Sequence, residues 1–436
     1  MLHDNITLGE NGHLYFAGMD TVALAKKHGT PLYLIDENKI RENCRTYISC
    51  VKKYFGEKSI PLYASKALCY LDIYRILKEE GTGVDVVSGG ELYTALKAGF
   101  PASLMFFHGN NKTNTEIDFA VKNDVGYFVV DNVEELEEVN ATAARYGIKQ
   151  NILLRLSPGI DPHTHKAVVT GSVDSKFGTA IETGQAMELT KYAISKSNIK
   201  LVGFHCHIGS QIFDHIPFSD AAKIMLAFIA KVQAETGVLV EMLNLGGGIG
   251  VRYIEEHPKV EMDSIFRSIK TEVDAFCQIN NVKAPTILFE MGRYVSANAG
   301  MTLYTVGSFK TITGYKSYVS IDGGMPDNPR YALYQSPYTA LIADRAGEKK
   351  TVVATIAGRC CESGDLIQEN APLQSCKKGD TLAVLVTGAY NYAMSSNYNR
   401  LPKPPIVSIY NKKDNVVVKR ESYEDLCKNE LATVNV

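Results

Sequence analysis

Between residues 60 and 290 the chain alternates eight times between a short apolar run and a longer connecting stretch, and few folds accept that rhythm. The runs are Ile60–Ala64, Val84–Val87, Leu104–Phe107, Tyr127–Val130, Ile152–Leu156, Leu201–Cys206, Met242–Leu245 and Ile287–Phe289. They are too short for helices and have the length of buried strands. Around and between them, Ile40–Tyr54, Gly90–Ala98, Val133–Tyr146, Ala221–Ala234 and Ile265–Cys277 have helical apolar spacing. Regular alternation of this kind predicts a parallel sheet with right-handed crossovers, and eight units predict closure into a (β/α)8 barrel. A doubly wound open sheet is the structural alternative. After about Gly300 the rhythm changes: Met301–Thr313, Tyr318–Ile321, Thr351–Ala357, Thr381–Val386 and Pro405–Tyr410 read as strands joined by turns. The expected organisation is an α/β barrel domain over residues 35–300, and a mainly-β, sandwich- or barrel-like domain over 1–34 plus 301–436. The early pieces His13–Phe16 and Pro31–Ile35 are expected to pair with the second domain.

With 436 residues, 45% of them hydrophobic and 22% charged, the chain can bury a sizeable core. Lys plus Arg number 46 against 48 Asp plus Glu, so there is no general electrostatic attraction to nucleic acid or to an anionic membrane. Met1-Leu2-His3-Asp4 does not begin a basic-then-apolar leader, and no apolar run approaches the ~18 residues of a membrane span. Nine cysteines without a CxxC pair fit a reduced, cytoplasmic protein better than a disulfide framework.

A barrel carries its chemistry just beyond the carboxyl ends of its strands. Lys66 follows the first run, in Leu62-Tyr63-Ala64-Ser65-Lys66-Ala67, with a helix expected from Ala67 onward. A lysine is most often a solvated surface charge. Between apolar segments at a strand end it can be desolvated and partly neutral, as a Schiff-base nucleophile must be. Asp85 and Ser88 follow the second run, His108 the third, His207 the sixth, Gly246-Gly247-Gly248 the seventh, and Glu290 and Arg293 the eighth. A glycine cluster by itself is a tight turn. After strand seven of a barrel it also lets backbone amides approach a phosphate. Together with Lys66 it points to pyridoxal 5'-phosphate. Glu290 is either a solvated acid or a carboxylate behind that cofactor, keeping a pyridine nitrogen protonated.

The pairs His163/His165 and His205/His207 raise the question of a metal, but neither has a carboxylate or cysteine at useful spacing, and none is expected. Cys360 can be a small buried residue. Cys361, beside acidic residues that would raise its pKa, would stay protonated and could donate a proton.

The segments YASKA, DVVSGGEL, HGNNK, HCHIGSQ, LNLGGGIG, EMGR, CESGD and TGAY, spread over nearly the whole chain, resemble the diaminopimelate decarboxylases. These are the lysine-forming members of the alanine-racemase-fold decarboxylases that use pyridoxal phosphate. HCHIGSQ and CESGD are the specific signals, and CESGD matters most, since related ornithine and arginine decarboxylases surround their cysteine differently. One departure is Met291, where the family usually has proline.

The resemblance implies decarboxylation of meso-diaminopimelate to L-lysine by a homodimer with active sites shared between chains. It implies that Lys66 carries the cofactor, His207 stacks on its ring, Ser210 and Gly246, Gly247 and Gly248 hold its phosphate, and Glu290 pairs with its ring nitrogen. Arg293, Arg330 and Tyr334 resemble the carboxylate clamp of the substrate. Glu362 is similar to the residue that recognises the distal ammonium, Tyr390 lies against the cofactor, and Cys361 reprotonates the carbon. The rival readings are a decarboxylase of another basic amino acid (ornithine, arginine or carboxynorspermidine), a non-catalytic homologue that binds the cofactor, and a metal-dependent barrel hydrolase using the HxH pairs.

Overall fold

Eight parallel strands, Pro61–Ala64, Gly83–Val86, Met105–Phe107, Tyr127–Val130, Gln150–Ser157, Ile199–His205, Met242–Asn244 and Thr286–Glu290, pair in chain order. The last returns to the first through Phe289 opposite Pro61 and Glu290 opposite Leu62, which closes the barrel. The open doubly wound sheet is thereby excluded. The computed structural model describes residues 2–160 and 175–431, so His163 and His165 lie outside the described residues. By their internal packing the residues fall into two compact units: Arg41–Val251 with Lys259–Val295, which holds the barrel, and Met1–Ile40 with Arg252–Pro258 and Ser296–Val436.

The barrel strands are apolar almost throughout because both their faces are covered. Leu62, Phe106, Val129, Leu153, Val202 and Leu288, from six different strands, form a cluster of buried side chains, each contributing roughly 1.5–3 kcal/mol of transfer free energy. Tyr47, on the helix Glu37–Phe55, seals the closure: its hydroxyl donates to Phe289 O at 2.7 Å and accepts from the Leu62 N–H at 3.2 Å. Just beyond the eighth strand the Met291 N–H donates to Leu62 O at 2.9 Å. Proline, which has no N–H, could not make that bond, so the departure at 291 adds a hydrogen bond to the seam.

In the other unit the strand Gly300–Ile312 is long enough to serve two sets of neighbours. Its first half pairs with Leu32–Asp36 and with Thr381–Leu385, and its second half with Lys316–Ile321. Leu32–Asp36 also pairs with Ile406–Tyr410, as expected of an early segment joining the late sheet. Leu14–Phe16 does not join it. It forms a separate three-stranded sheet with Ile6–Leu8 and Met19–Asp20, because the turn at Ala17 and Gly18, both at positive φ, folds this short strand back onto its sequence neighbours.

Asp327 of this unit is fully buried beside Asp322 and Asp365. Burial pushes its pKa up to about 7, against the donated hydrogen bonds of the Tyr304 hydroxyl and the Gly324 N–H. Tyr33 donates to its backbone carbonyl. A carboxyl whose folded pKa is raised contributes most below its unfolded value near 4, and the contribution is lost as pH rises through 7. Asp327→Asn is therefore expected to flatten the fall in urea midpoint between pH 4 and 7. The difference should be a few kcal/mol at ~1.4 kcal/mol per pH unit. An unchanged slope would rule out Asp327 as its source.

Candidate active site

The first strand ends at Ala64, and a single 3-10 turn, Ser65–Ala67, carries Lys66 out of the core. The following helix starts at Leu71, later than expected, because Leu68 and Tyr70 are extended. Ser65 and Ala67 are buried while Lys66 is exposed at the strand's carboxyl end. The desolvated lysine expected from sequence is thus corrected: the short turn aims the side chain away from the apolar layer below. Gly292 packs directly under this turn. A Cβ there would approach the Cβ atoms of Ala64 and Ala67 to 2.9 Å, so the glycine of the EMGR segment holds the lysine's backbone in place.

Glu290, the last residue of the eighth strand, is 7% exposed. Its carboxylate gathers side chains from three other strand ends. His108 Nε2 lies 2.9 Å from Oε1, the Asn244 amide donates to Oε1 at 2.7 Å, and His205 Nε2 is 3.4 Å from Oε2. Burial alone would raise the Glu290 pKa, yet the two imidazoles hold it well below the usual carboxylate range. Burial in turn lowers His205 to about 4. The site therefore keeps one anion at Glu290 and a neutral ring at His205. The side-chain oxygen of Asn244 accepts from the Gly246 N–H at 2.9 Å, so one amide ties the carboxylate to the glycine run.

His205, not His207, meets the carboxylate, since alternate residues stop sharing a direction once the strand ends at His205. His207 accepts from the Gly247 N–H at its Nδ1, 3.2 Å away. Its pKa is lowered well below the ordinary value by burial and by the neighbouring Lys66 and Arg155 charges, which leaves a neutral ring suited to stacking. Gly246 and Gly248 have φ of 68° and 111°, and a Cβ on Gly247 would collide with Glu290 O. No other residue fits this run. Arg293 is buried and donates from Nη2 to Ser210 Oγ at 3.0 Å.

Asn244, the pairing of His108 with Glu290, and Arg155, which stacks 4.4 Å from the Phe177 ring, went unnoticed in the sequence. The only hints were their places near strand ends. Asp85 lies inside the second strand rather than after it, and burial with the Glu290 charge raises its pKa to about 6. Glu290 supplies the carboxylate that neither HxH pair had in sequence, and the ligand atoms of His108, His205 and Glu290 lie within 4.8 Å of one another.

The remaining candidates belong to the other unit. Arg330 is 6% exposed, with its guanidinium 5.6 Å from the Tyr253 ring and 5.7 Å from those of Tyr334 and Tyr390. It donates from Nη2 to Ser336 Oγ at 3.1 Å. Among the described residues it has no carboxylate partner. Tyr390 holds φ at +60°, a conformation a bulky residue keeps only when its surroundings impose it. Cys361 and Glu362 are exposed. The thiol whose proton burial and an acidic neighbour hold is that of Cys360, pushed up to about 12 by burial and then by Asp365.

The profile of the pyridoxal-dependent decarboxylases, pyridoxal binding domain, matches residues 37–297. The chain belongs to this family. The pyridoxal-dependent decarboxylase is 42% identical to the diaminopimelate decarboxylase of Bacillus methanolicus over 96% of this chain and 97% of that one. It is equally similar to that of Bacillus subtilis (strain 168), over 99% and 98%. It also superposes on the crystal structure of diaminopimelate decarboxylase from M. jannaschii in complex with L-lysine, with a TM-score of 0.92 and 34% identity over 99% of each chain.

Pyridoxal phosphate is the cofactor of this decarboxylase, and the barrel residues fit it. The glycine run has no room for side chains, a buried anion is kept at Glu290, a neutral imidazole stands at His207, and an exposed amine ends the first strand. Among the described residues no helix is long and apolar enough to cross a membrane.

Proposed function

We propose that this chain converts meso-diaminopimelate to L-lysine and carbon dioxide, with the roles that follow. When bound, pyridoxal phosphate supplies the electron sink that lets the bond between Cα and its carboxylate break. Lys66 holds the cofactor through its amine. The Glu290 anion, kept ionised by His108 and His205, holds a proton at the pyridine nitrogen. His207 covers one face of the ring, while Gly246, Gly247, Gly248 and Ser210 receive the phosphate. Arg293 takes part in holding substrate. As carbon dioxide leaves, Cys361 Sγ delivers the proton that Cα needs.

The observation that carries the substrate assignment is Arg330: a buried guanidinium ringed by tyrosines and, among the described residues, without a carboxylate partner. Leaving such a charge buried and unpaired is costly. A substrate with a second carboxylate, at the end where ornithine has none, relieves that cost, and Tyr334 and Glu362 complete the recognition of that amino-acid end. The full-length likeness to diaminopimelate decarboxylases supports the same choice.

Arg330→Met is expected to lower kcat/KM for diaminopimelate by roughly a hundredfold or more, the scale of losing a charge-assisted pair, while the visible absorbance of the cofactor stays intact. Loss of that absorbance in parallel would make Arg330 structural. Faster turnover of ornithine than of diaminopimelate by the wild type would transfer the chain to the ornithine class. The reading includes a homodimer in which the β domain, residues 1–34 plus 301–436, completes the site on the partner's barrel domain, residues 35–300.

A further inference from the structure

We propose that Asp365 is a positioning residue for proton delivery: its carboxylate clamps the Cys360–Gly364 turn and so sets the direction of the Cys361 thiol. The inference rests on the reading of Cys361 as proton donor. Cys361 and Glu362 are exposed, so packing does little to hold them. Asp365, at the far end of the turn, is 2% exposed. Its Oδ2 accepts from the Cys360 N–H at 2.7 Å, and its Oδ1 accepts from the Met325 N–H at 2.6 Å. Its own N–H donates to Glu362 O at 3.1 Å, and its carbonyl accepts from the Gly358 N–H at 2.8 Å. One residue thus bonds to both arms of the turn and to the neighbouring segment that leads to Arg330.

The backbone has closed around this carboxylate. A Cβ on Gly324 or on Gly358 would collide with the Asp365 carboxylate oxygens, so two glycines from two segments leave room for this group and nothing larger. From the outer side Asn399, at φ +51°, accepts the Cys361 N–H at its Oδ1, 2.7 Å away. Cys361 is therefore fixed at its own amide and at the amide before it, with only the thiol left to point outward. An ionised carboxylate accepts at both oxygens, whereas an asparagine amide of the same shape must face one of the two N–H groups with a donor of its own. Asp365→Asn thus opens the clamp without changing its volume.

The test compares holoenzymes carrying Asp365→Asn, Cys361→Ala, both together, and Asp380→Asn. Asp380 is an equally buried aspartate of the same unit, held by Arg345 and the Lys377 N–H, and serves as a control for destabilisation. Asp365→Asn is expected to lower kcat roughly ten- to a hundredfold, the scale of misplacing a reacting group, with the visible cofactor band unchanged. The ratio of kcat in H2O to that in D2O should rise as proton delivery becomes limiting. In the Cys361→Ala background the same substitution should cost less than about twofold, since it acts through the thiol. Gly358→Ala, which presses on the clamp from the other side, gives the same pattern and replaces Asp365→Asn if that variant does not fold. An equal fold-loss in both backgrounds, or a loss and isotope ratio no larger than those of Asp380→Asn, would overturn the proposal. An unaffected Asp365→Asn beside an inactive Cys361→Ala removes the clamp alone. A Cys361→Ala enzyme at wild-type rate removes the proton-donor reading and the clamp with it.

Discussion

Borohydride reduction of the holoprotein is expected to leave one pyridoxyl group per chain, on Lys66, and Lys66→Ala to lower kcat by roughly 10³-fold or more, as when a nucleophile is taken from a unit of interdependent groups. The lysine's position decides this, not its type. Forty-six basic side chains are present, but this one stands on a one-turn projection at a barrel strand's carboxyl end, with Gly292 packed beneath it. On the last strand of the same barrel the Glu290 carboxylate is kept ionised by His108 and His205 and accepts a hydrogen bond from the Asn244 amide. Peptide mapping of the reduced protein reads the result directly. A label on another lysine would sink the assignment, and a Lys66→Ala enzyme within tenfold of wild type would sink the role.

The barrel was legible because its strands are largely buried on both faces and so read as predominantly apolar runs. Tyr127–Val130 and the helix Val133–Tyr146 fall where the sequence puts them. Amphipathic or charged elements were harder to read. The strands Leu366–Leu373 and Lys413–Val418 went unseen. The first contains Glu, Asn and Pro, the second begins Lys-Asp-Asn, and both are only partly buried, so solvent permits side chains that blur the pattern. The helix Asn114–Lys122 was also missed, although Thr113 and Glu116 form a capping box at its start.

In the site, strand-end placement was enough to select Lys66, His207, the glycines and Glu290 as candidates. What it could not convey is which of them touch. His108, His205, Asn244 and Glu290 stand at the ends of four strands and meet only because the barrel closes, and Asn244 by itself is one polar residue inside the run Met242–Leu245. Exposure was equally out of reach. Lys66 and Cys361 each sit on a short turn whose backbone is held from below, by Gly292 in one case and Asp365 in the other. A period read along the chain cannot tell a side chain at the tip of such a turn from one buried beneath it.

Lys66→Ala and Cys361→Ala proteins, each nearly inactive alone, are expected to recover roughly a quarter of wild-type activity when mixed in equal amounts and allowed to exchange subunits. The expectation follows from the symmetry of the proposed dimer. A two-fold interface is self-complementary, so a dimer holds two composite sites, each taking its lysine from one protomer and its cysteine from the other. Random exchange makes half of the dimers mixed. In each mixed dimer one site receives both defects and the other receives none, so half of the dimers carry half of the normal number of sites. A site built within one chain behaves differently, because every protomer then brings its own defect to its own site and no mixture contains an intact one. Native mass measurement on protomers of distinguishable mass establishes whether exchange has occurred. With exchange confirmed, recovery near a quarter supports the shared site. Its absence would place Lys66 and Cys361 in the same chain's site or remove Cys361 from proton delivery, and the Asp365 variants separate those two outcomes, since only a thiol that delivers the proton makes kcat sensitive to the clamp.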